Sequence, residues 1–273
     1  MWGVAYSAFL GGNLAETAPI EGDPLTIFGA NLYGWWNADR SGFIKDTGVT
    51  ENILRWGDIS GNSRHFIQAT ETNKPKFLDN ILNNKPVVQF NGVDEFMFSV
   101  TNSDWNFLHD GSAHFICYVF RVVPANPNNQ TCLYSTRGPG ERGISLLYDD
   151  RATSGFDERL QMFIDTGVTP IVNVRTGDNA FPTETFDYTF WNSQGDLGGN
   201  DLELFVKNIS EFTTEPTGAY VGGNSGGPFT VGACSDNTFN SNIELADCFI
   251  VDREATAVEL FQVASYIATE WAV

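Results

Sequence analysis

The chain has 273 residues and carries 34 acidic against 15 basic side chains, for a formal charge of −19 and a sequence pI near 4.3. That balance argues against a nucleic-acid partner, since holding phosphates needs clustered Lys and Arg to displace counterions, and no run of about 18 apolar residues exists to span a bilayer. A hydrophobic share of 42% with 22 Phe, 8 Tyr and 7 Trp supplies a sizeable core, and 27 Gly and 11 Pro scattered between short apolar runs supply the turns of an all-β fold.

Met1 to Leu10 is apolar, lacks a positively charged start and runs into Gly11-Gly12 and then Glu16, so it does not read as a secretory leader. All-β sandwiches of about 200–250 residues are routinely single domains, and the expected organisation is an N-terminal arm over residues 1–30 and one domain over residues 31–273. An apolar arm is costly to leave in water. It either covers the domain or inserts into a neighbouring subunit, as in a larger assembly.

Downstream, Phe96 to Val100, Phe115 to Val119 and Leu202 to Val206 alternate as strands, each bounded by Gly, Asn, Asp or Pro. Leu245 to Val251 is an apolar run broken at Asp252-Arg253, which reads as a buried strand. Thr256 stands three residues before Glu259, the spacing of a capping box, and Leu260, Val263, Ala264, Ile267 and Trp271 follow on one face of a helix. Many short strands and one late helix predict two antiparallel sheets packed face to face, with an opening strand near Leu32 to Asn37 beside the closing strand.

Leu245, Ala246, Asp247, Asp252, Arg253, Thr256, Glu259, Tyr266, Ile267 and Ala268 together resemble the closing signature of LamG-like domains of the concanavalin A-like lectin/glucanase superfamily. Trp35, Ala38-Asp39, the run from Trp56 to Asn62, Pro75, and the run from Pro86 to Gly92 leading into Phe96 resemble the opening of the same family. Leu202 to Val206 and Val221-Gly222-Gly223 match between them; Asp247 stands where the family usually has Glu, and Asn208-Ile209 where it has Asn-Gly. The resemblance implies a concanavalin A-like jelly-roll sandwich with one C-terminal helix. It also implies a non-catalytic structural or adhesion module, as in bacterial surface proteins and bacteriophage tail or capsid components. The chain is then expected on a virion or extracellular surface, in an oligomeric assembly, touching other virion or surface proteins through its arm and a cell-surface glycan.

Three motifs suggest enzymes. Gly138-Pro139-Gly140-Glu141-Arg142-Gly143 satisfies G-x-G-x-x-G, but Ile144 to Tyr148 after it reads as a strand, where phosphate cradling needs a helix N-terminus; the segment is expected to be a hairpin loop. Gly223-Asn224-Ser225-Gly226-Gly227-Pro228 resembles the nucleophile loop of chymotrypsin-like serine proteases, which would need His114 as base for Ser225 and one of Asp149, Asp150, Asp157 or Asp165 to orient it. A glucanase-like glycosidase would need two acids on one strand face. Glu244 and Asp247 are three apart, a spacing that places them on opposite faces of a regular strand, and Glu203 lacks a third acid beyond Asp201. Cys117, Cys132, Cys234 and Cys248 form no C-x-x-C pair and mostly sit in apolar runs, so buried thiols are expected, with one cross-strand bridge left open.

The binding reading rests on aromatic side chains among amides and acids, because a sugar presents an apolar face for stacking and hydroxyls for polar groups at its rim. Two polar stretches fit: Trp191 with Asn192, Asp196 and Asn200, and Trp105 with Asn106. No cofactor is required, and calcium is the one option, through the oxygen-bearing side chains Asp58, Asn62 and Asp94.

Overall fold

The computed structural model describes residues 22–46, 51–99, 103–123, 130–137, 142–151, 158–167, 170–195, 202–207, 209–214, 217–220, 222–223, 226–235 and 238–273. Two antiparallel sheets form a jelly-roll sandwich. The first sheet runs β15 (Ile209–Thr214), β14 (Leu202–Val206), β13 (Asp187–Ser193), β8 (His114–Val122), β17 (Asn242–Val251), β6 (Lys85–Asn91) and β5 (Lys76–Leu82), and β1 (Leu32–Asn37) joins it on β17. The second runs β12 (Pro170–Arg175), β11 (Arg159–Thr166), β10 (Arg142–Asp149), β9 (Gln130–Arg137), β16 (Gly226–Val231), β7 (Met97–Ser99), β4 (Phe66–Ile67), β3 (Ile53–Trp56) and β2 (Phe43–Lys45).

The closing strand organises the first sheet. One edge of β17 pairs with β8 along nearly its whole length; the other pairs first with β6, from Asn242 to Leu245, and then with β1, from Asp247 to Val251. Opening and closing strands therefore lie side by side, as their sequences predict. Between the sheets the core is aromatic: Trp36 of β1 stacks on Phe66 of β4 with ring centroids 4.1 Å apart, and Tyr118 of β8 meets Tyr134 of β9 at 5.4 Å. All four rings are fully buried or nearly so, which makes this seam a main source of stability.

Residues 138–141, most of the expected hairpin loop, lie outside the described residues, but the strands on either side, β9 and β10, pair antiparallel, so the G-x-G-x-x-G match precedes a strand and not a helix. Gly143 has φ +134, and a Cβ there would come within 2.9 Å of Arg137 N, so only glycine fits. All four cysteines are buried.

Two helices cover the outer face of the first sheet. The stretch expected to end the arm supplies α1 (Pro24–Phe28), started by Asp23, whose carboxylate accepts from Thr26 N. Its Phe28 is buried against Phe115 and Phe249, at 5.7 and 6.0 Å. Residues 1–21, the rest of the expected arm, lie outside the described residues. At the other end of the chain α2 (Ala257–Glu270) opens with the expected capping box between Thr256 and Glu259, and Leu260, Val263, Ala264, Tyr266 and Ile267 face the sheet. Trp271 caps it and is fully buried.

Beneath α2 lies Asp247, fully buried on β17. Its carboxylate accepts from Trp35 Nε1 at 2.9 Å, Asn37 Nδ2 at 2.9 Å, Tyr266 OH at 2.6 Å and Trp271 Nε1 at 3.1 Å, so one side chain ties β1, β17 and the helix together. Burial raises its pKa to about 6 in spite of these donors. The expectation that Glu244 and Asp247 occupy opposite faces is corrected here. A bulge at Ala246 lets Glu244 pair with Arg121 and Asp247 with Val119, two residues apart on β8, so both acids share one face. They still do not form an acid pair open to substrate, because Glu244 is held by Arg121 at 2.7 Å and Asp247 is sealed under the helix.

Candidate functional site

One end of the sandwich gathers the loops that the sequence singles out. The loop after β3 is wired to the start of β1. Asp58 Oδ1 accepts from the backbone N–H of Trp35 and Ser60, Asp58 Oδ2 accepts from that of Arg64, and Asn62 Nδ2 donates to the carbonyls of Leu32 and Tyr33 at 2.9 and 3.1 Å. These bonds satisfy loop backbone and fix the loop against Tyr33.

Tyr33 is the centre of the arrangement. The Arg64 guanidinium lies 3.6 Å over its ring and donates to its carbonyl at 3.0 Å; its hydroxyl donates to the backbone carbonyl of Asp104 at 2.6 Å. Trp105 meets the ring edge-on at 5.4 Å and Phe107 lies at 4.6 Å. Tyr33, Arg64, Asn106 and Phe107 all remain partly exposed, as does the carboxylate of Asp104, which stands 3.9 Å from Arg64 Nε. Burial pushes the Tyr33 phenol above its ordinary value, and the carboxylates of Asp104 and Asp252 add to the rise while Arg64 opposes it. The phenol is therefore neutral at any physiological pH.

Two polar stretches that are distant in sequence meet at this end. A Cβ on Gly195 would fall 2.4 Å from Gly111 O and 2.9 Å from Ala113 N, so the segment after β13 packs tightly on the segment before β8, and only a glycine at φ +78 permits it. His109 adds a third loop, its Nε2–H donating to Gly223 O at 2.9 Å. Among the described residues, three buried polar atoms at this end have no hydrogen-bond partner: the acceptors Asn106 Oδ1 and His109 Nδ1 and the donor Arg64 Nε. Burial also lowers the His109 pKa, which keeps the ring neutral and Nδ1 an acceptor.

The sequence candidates fare differently. Trp105 belongs to a 3-10 turn over Ser103–Leu108, but its indole is fully buried and donates to Ser99 Oγ at 2.5 Å, so it anchors the turn and offers no ring face to a ligand. Trp191 is on β13, not in a loop; it is 1% exposed and donates to His114 Nε2 at 3.0 Å. Asn192 is also on the strand, and its amide clamps Ala255 by accepting from its N–H and donating to its carbonyl. These are corrections to the expectation of exposed rings and free amides. A strand that alternates between a sandwich core and a helix-covered outer face buries both sets of side chains. Asp196 and Asn200 lie outside the described residues. Asp58 and Asn62 stand in the loop described above, with both Asp58 oxygens and the Asn62 amide nitrogen engaged, whereas Asp94 is in the separate turn after β6, accepting from Asn91 Nδ2. Among the described residues no group of three or more His, Cys, Asp or Glu is arranged to hold a metal ion.

The protease constellation receives a specific answer at its base. His114 is 1% exposed, and since an indole N–H can only donate, its Nε2 accepts from Trp191 while Nδ1–H donates to Ser112 O at 3.0 Å. Both nitrogens are thus engaged, and burial lowers the pKa to about 4. Asn224 and Ser225 lie outside the described residues.

Sequence reasoning missed Tyr33, Arg64, Phe107 and His109. The signal was present for Phe107, two residues beyond Trp105 in the same turn, and absent for Tyr33 and Arg64, whose contact joins residues 31 apart.

No protein-family model and no curated protein sequence matches the chain. Solved structures match it at low identity. A sialidase of Trypanosoma rangeli in complex with 2,3-difluorosialic acid aligns with a TM-score of 0.58 and 12% identity over 93% of this chain and 36% of its own. The binding domain of Paraclostridial Mosquitocidal Protein 1 aligns with a TM-score of 0.59 and 14% identity over 85% of this chain and 52% of its own. The receptor-binding domain of botulinum neurotoxin type G gives 0.56 and 12% over 86% and 51%. The chain spans about a third of the sialidase and about half of each toxin domain. At such identities the likeness is one of fold, a jelly-roll sandwich shared by an enzyme and by binding domains alike.

Proposed function

We propose that the chain is a non-catalytic adhesion and structural module of a virion or cell surface, and that its loop end around Tyr33 recognises a glycan. The observation that carries this reading is the cluster of Tyr33, Arg64, Asp104, Asn106 and Phe107, partly exposed side chains that combine apolar ring surface with polar groups at one end of a rigid sandwich. Receptor-binding domains among the fold neighbours support it. Support for a non-catalytic role comes from His114, whose nitrogens are both engaged, and from Asp247, whose carboxylate is closed off by α2.

A glycan array probed with the wild-type chain and with Phe107→Ala tests the reading. Binding to at least one glycan class, lost in Phe107→Ala while the thermal transition is retained, is the expected result; no binding to any glycan refutes it. The assembly role is tested separately. A chain beginning at Gly22 keeps Asp23 and α1 on the sheet and is expected to fold as a monomer that no longer joins its particle. Normal incorporation of that shortened chain refutes the role given to the arm.

A further inference from the structure

We infer that the outer face of the second sheet, over β2, β3, β4 and β7, is the docking surface for residues 1–21 of this same chain, the segment outside the described residues. Four side chains stand there in one row across the strands: Ile44 pairs with Arg55, Arg55 with Ile67, and Ile67 with Phe98. Their chain neighbours Trp56, Phe66 and Met97 are fully buried in the core, so the row points outward. At the usual strand spacing it makes a strip about 14 Å long. Ile44 is 43% exposed, Ile67 and Phe98 are partly exposed, and Phe96 extends the strip with its ring 6.1 Å from that of Phe98.

Charge marks what fits this strip. Arg55, in its middle, has no ion pair among the described residues, and its Nε has no hydrogen-bond partner. Lys45, exposed beside Ile44, is likewise without an acid there and lies 3.6 Å over the Phe77 ring. In a chain with 34 acidic and 15 basic side chains, two cations left without acids beside apolar surface suit a segment that is both apolar and acidic. Residues 1–21 have that composition: Met1 to Leu10 carries no charged side chain, Leu14 and Ile20 follow, and Glu16 and Glu21 are the only charged side chains in the segment.

The segment also joins the domain in the right place. Asp23, two residues past its end, is held by Arg40 at 3.2 Å. Arg40 precedes Ile44 by four residues, so their Cα atoms lie at most ~14 Å apart, whereas a fully extended segment of this length reaches up to ~70 Å. Tethered so near, the segment meets its own strip at an effective concentration of roughly millimolar order, and it fills that strip ahead of any other copy's. Exchange of the same contact between copies costs little in an assembly, which connects this surface to the role proposed for the arm.

The test treats the dilute full chain with a zero-length carbodiimide, which joins a carboxylate to an amine, and maps the product by mass spectrometry. Glu16 or Glu21 is expected joined to Lys45 within one chain, and Arg55→Glu, with its thermal transition retained, is expected to suppress that product. In a second measurement a peptide of residues 1–21 is expected to bind the chain beginning at Gly22, with affinity weakened at least about tenfold by Arg55→Glu and by Phe98→Ala. Joining between isotope-labelled and unlabelled copies at the same dilution assigns the strip to a second copy and overturns the inference. Absence of the Lys45 product overturns it too, as does a peptide that fails to bind or binds indifferently to both substitutions.

Discussion

Asp247→Ala is the substitution whose cost is best defined. It removes the carboxylate that accepts from four buried donors, the indoles of Trp35 and Trp271, the amide of Asn37 and the hydroxyl of Tyr266. Tyr266 OH can turn to accept from Asn37 Nδ2, already 3.0 Å away, which leaves two indole N–H groups with nothing to replace the carboxylate. At about 1–3 kcal/mol for each of the two unsatisfied indoles, the expected loss is roughly 2–6 kcal/mol, a large part of the ~5–15 kcal/mol that holds a typical domain folded. In a domain this size each kcal/mol lowers Tm by about 2–4 °C, so a fall of roughly 4–24 °C is expected by calorimetry, with the urea midpoint falling in parallel. Tyr266→Phe removes one of the four bonds and is expected to cost only about 1 kcal/mol. The two losses should be strongly non-additive, since both variants break one network. A fall under about 3 °C for Asp247→Ala would show that the network is not what fastens α2 to the sheet.

The remaining predictions concern charge, core and chemistry. Burial holds the Asp247 carboxyl at about 6 against an ordinary 3.8, so its contribution to stability is fully present below about pH 3.8 and is lost as pH rises through 6. Asp247→Asn lacks this titration, and the stability gap between wild type and that variant is expected to narrow from pH 4 to pH 7; a gap that widens contradicts the assignment. Trp191→Ala is expected to cost about 3–5 kcal/mol as a fully buried ring is lost, so binding and thermal stability should fall together, and selective loss of binding would contradict the placement of Trp191 in the core. With both nitrogens of His114 engaged, fluorophosphonate labelling at Ser225 is expected to be nil by mass spectrometry, and stoichiometric labelling would reopen the hydrolase reading.

What was legible in the sequence was local and periodic. The capping box at Thr256 and Glu259, the helix face through Leu260, Val263 and Ile267, and the pairing of opening with closing strand all follow from spacings that backbone geometry enforces. Two failures have definite physical causes. The rule that residues three apart face opposite ways assumes an unbroken strand, and the single extra residue at Ala246 reverses it for Glu244 and Asp247. The inference that a Trp among polar neighbours is exposed fails because both indoles turn inward, Trp191 to His114 with Asn192 clamping Ala255 beside it, and Trp105 to Ser99 beneath the turn that holds Tyr33.

The same contacts explain why the candidate site is where it is. Each aromatic side chain misread as a ligand platform serves as an anchor beneath the candidate surface: Trp105 supports Tyr33, and Trp191 fixes His114, against which Phe107 packs at 6.2 Å. A binding surface of loops can hold its geometry only if such rings tie it to the sandwich. The sequence therefore pointed to this end of the molecule through residues that support the candidate site, while the partly exposed side chains of that site were set by contacts between segments far apart in the chain.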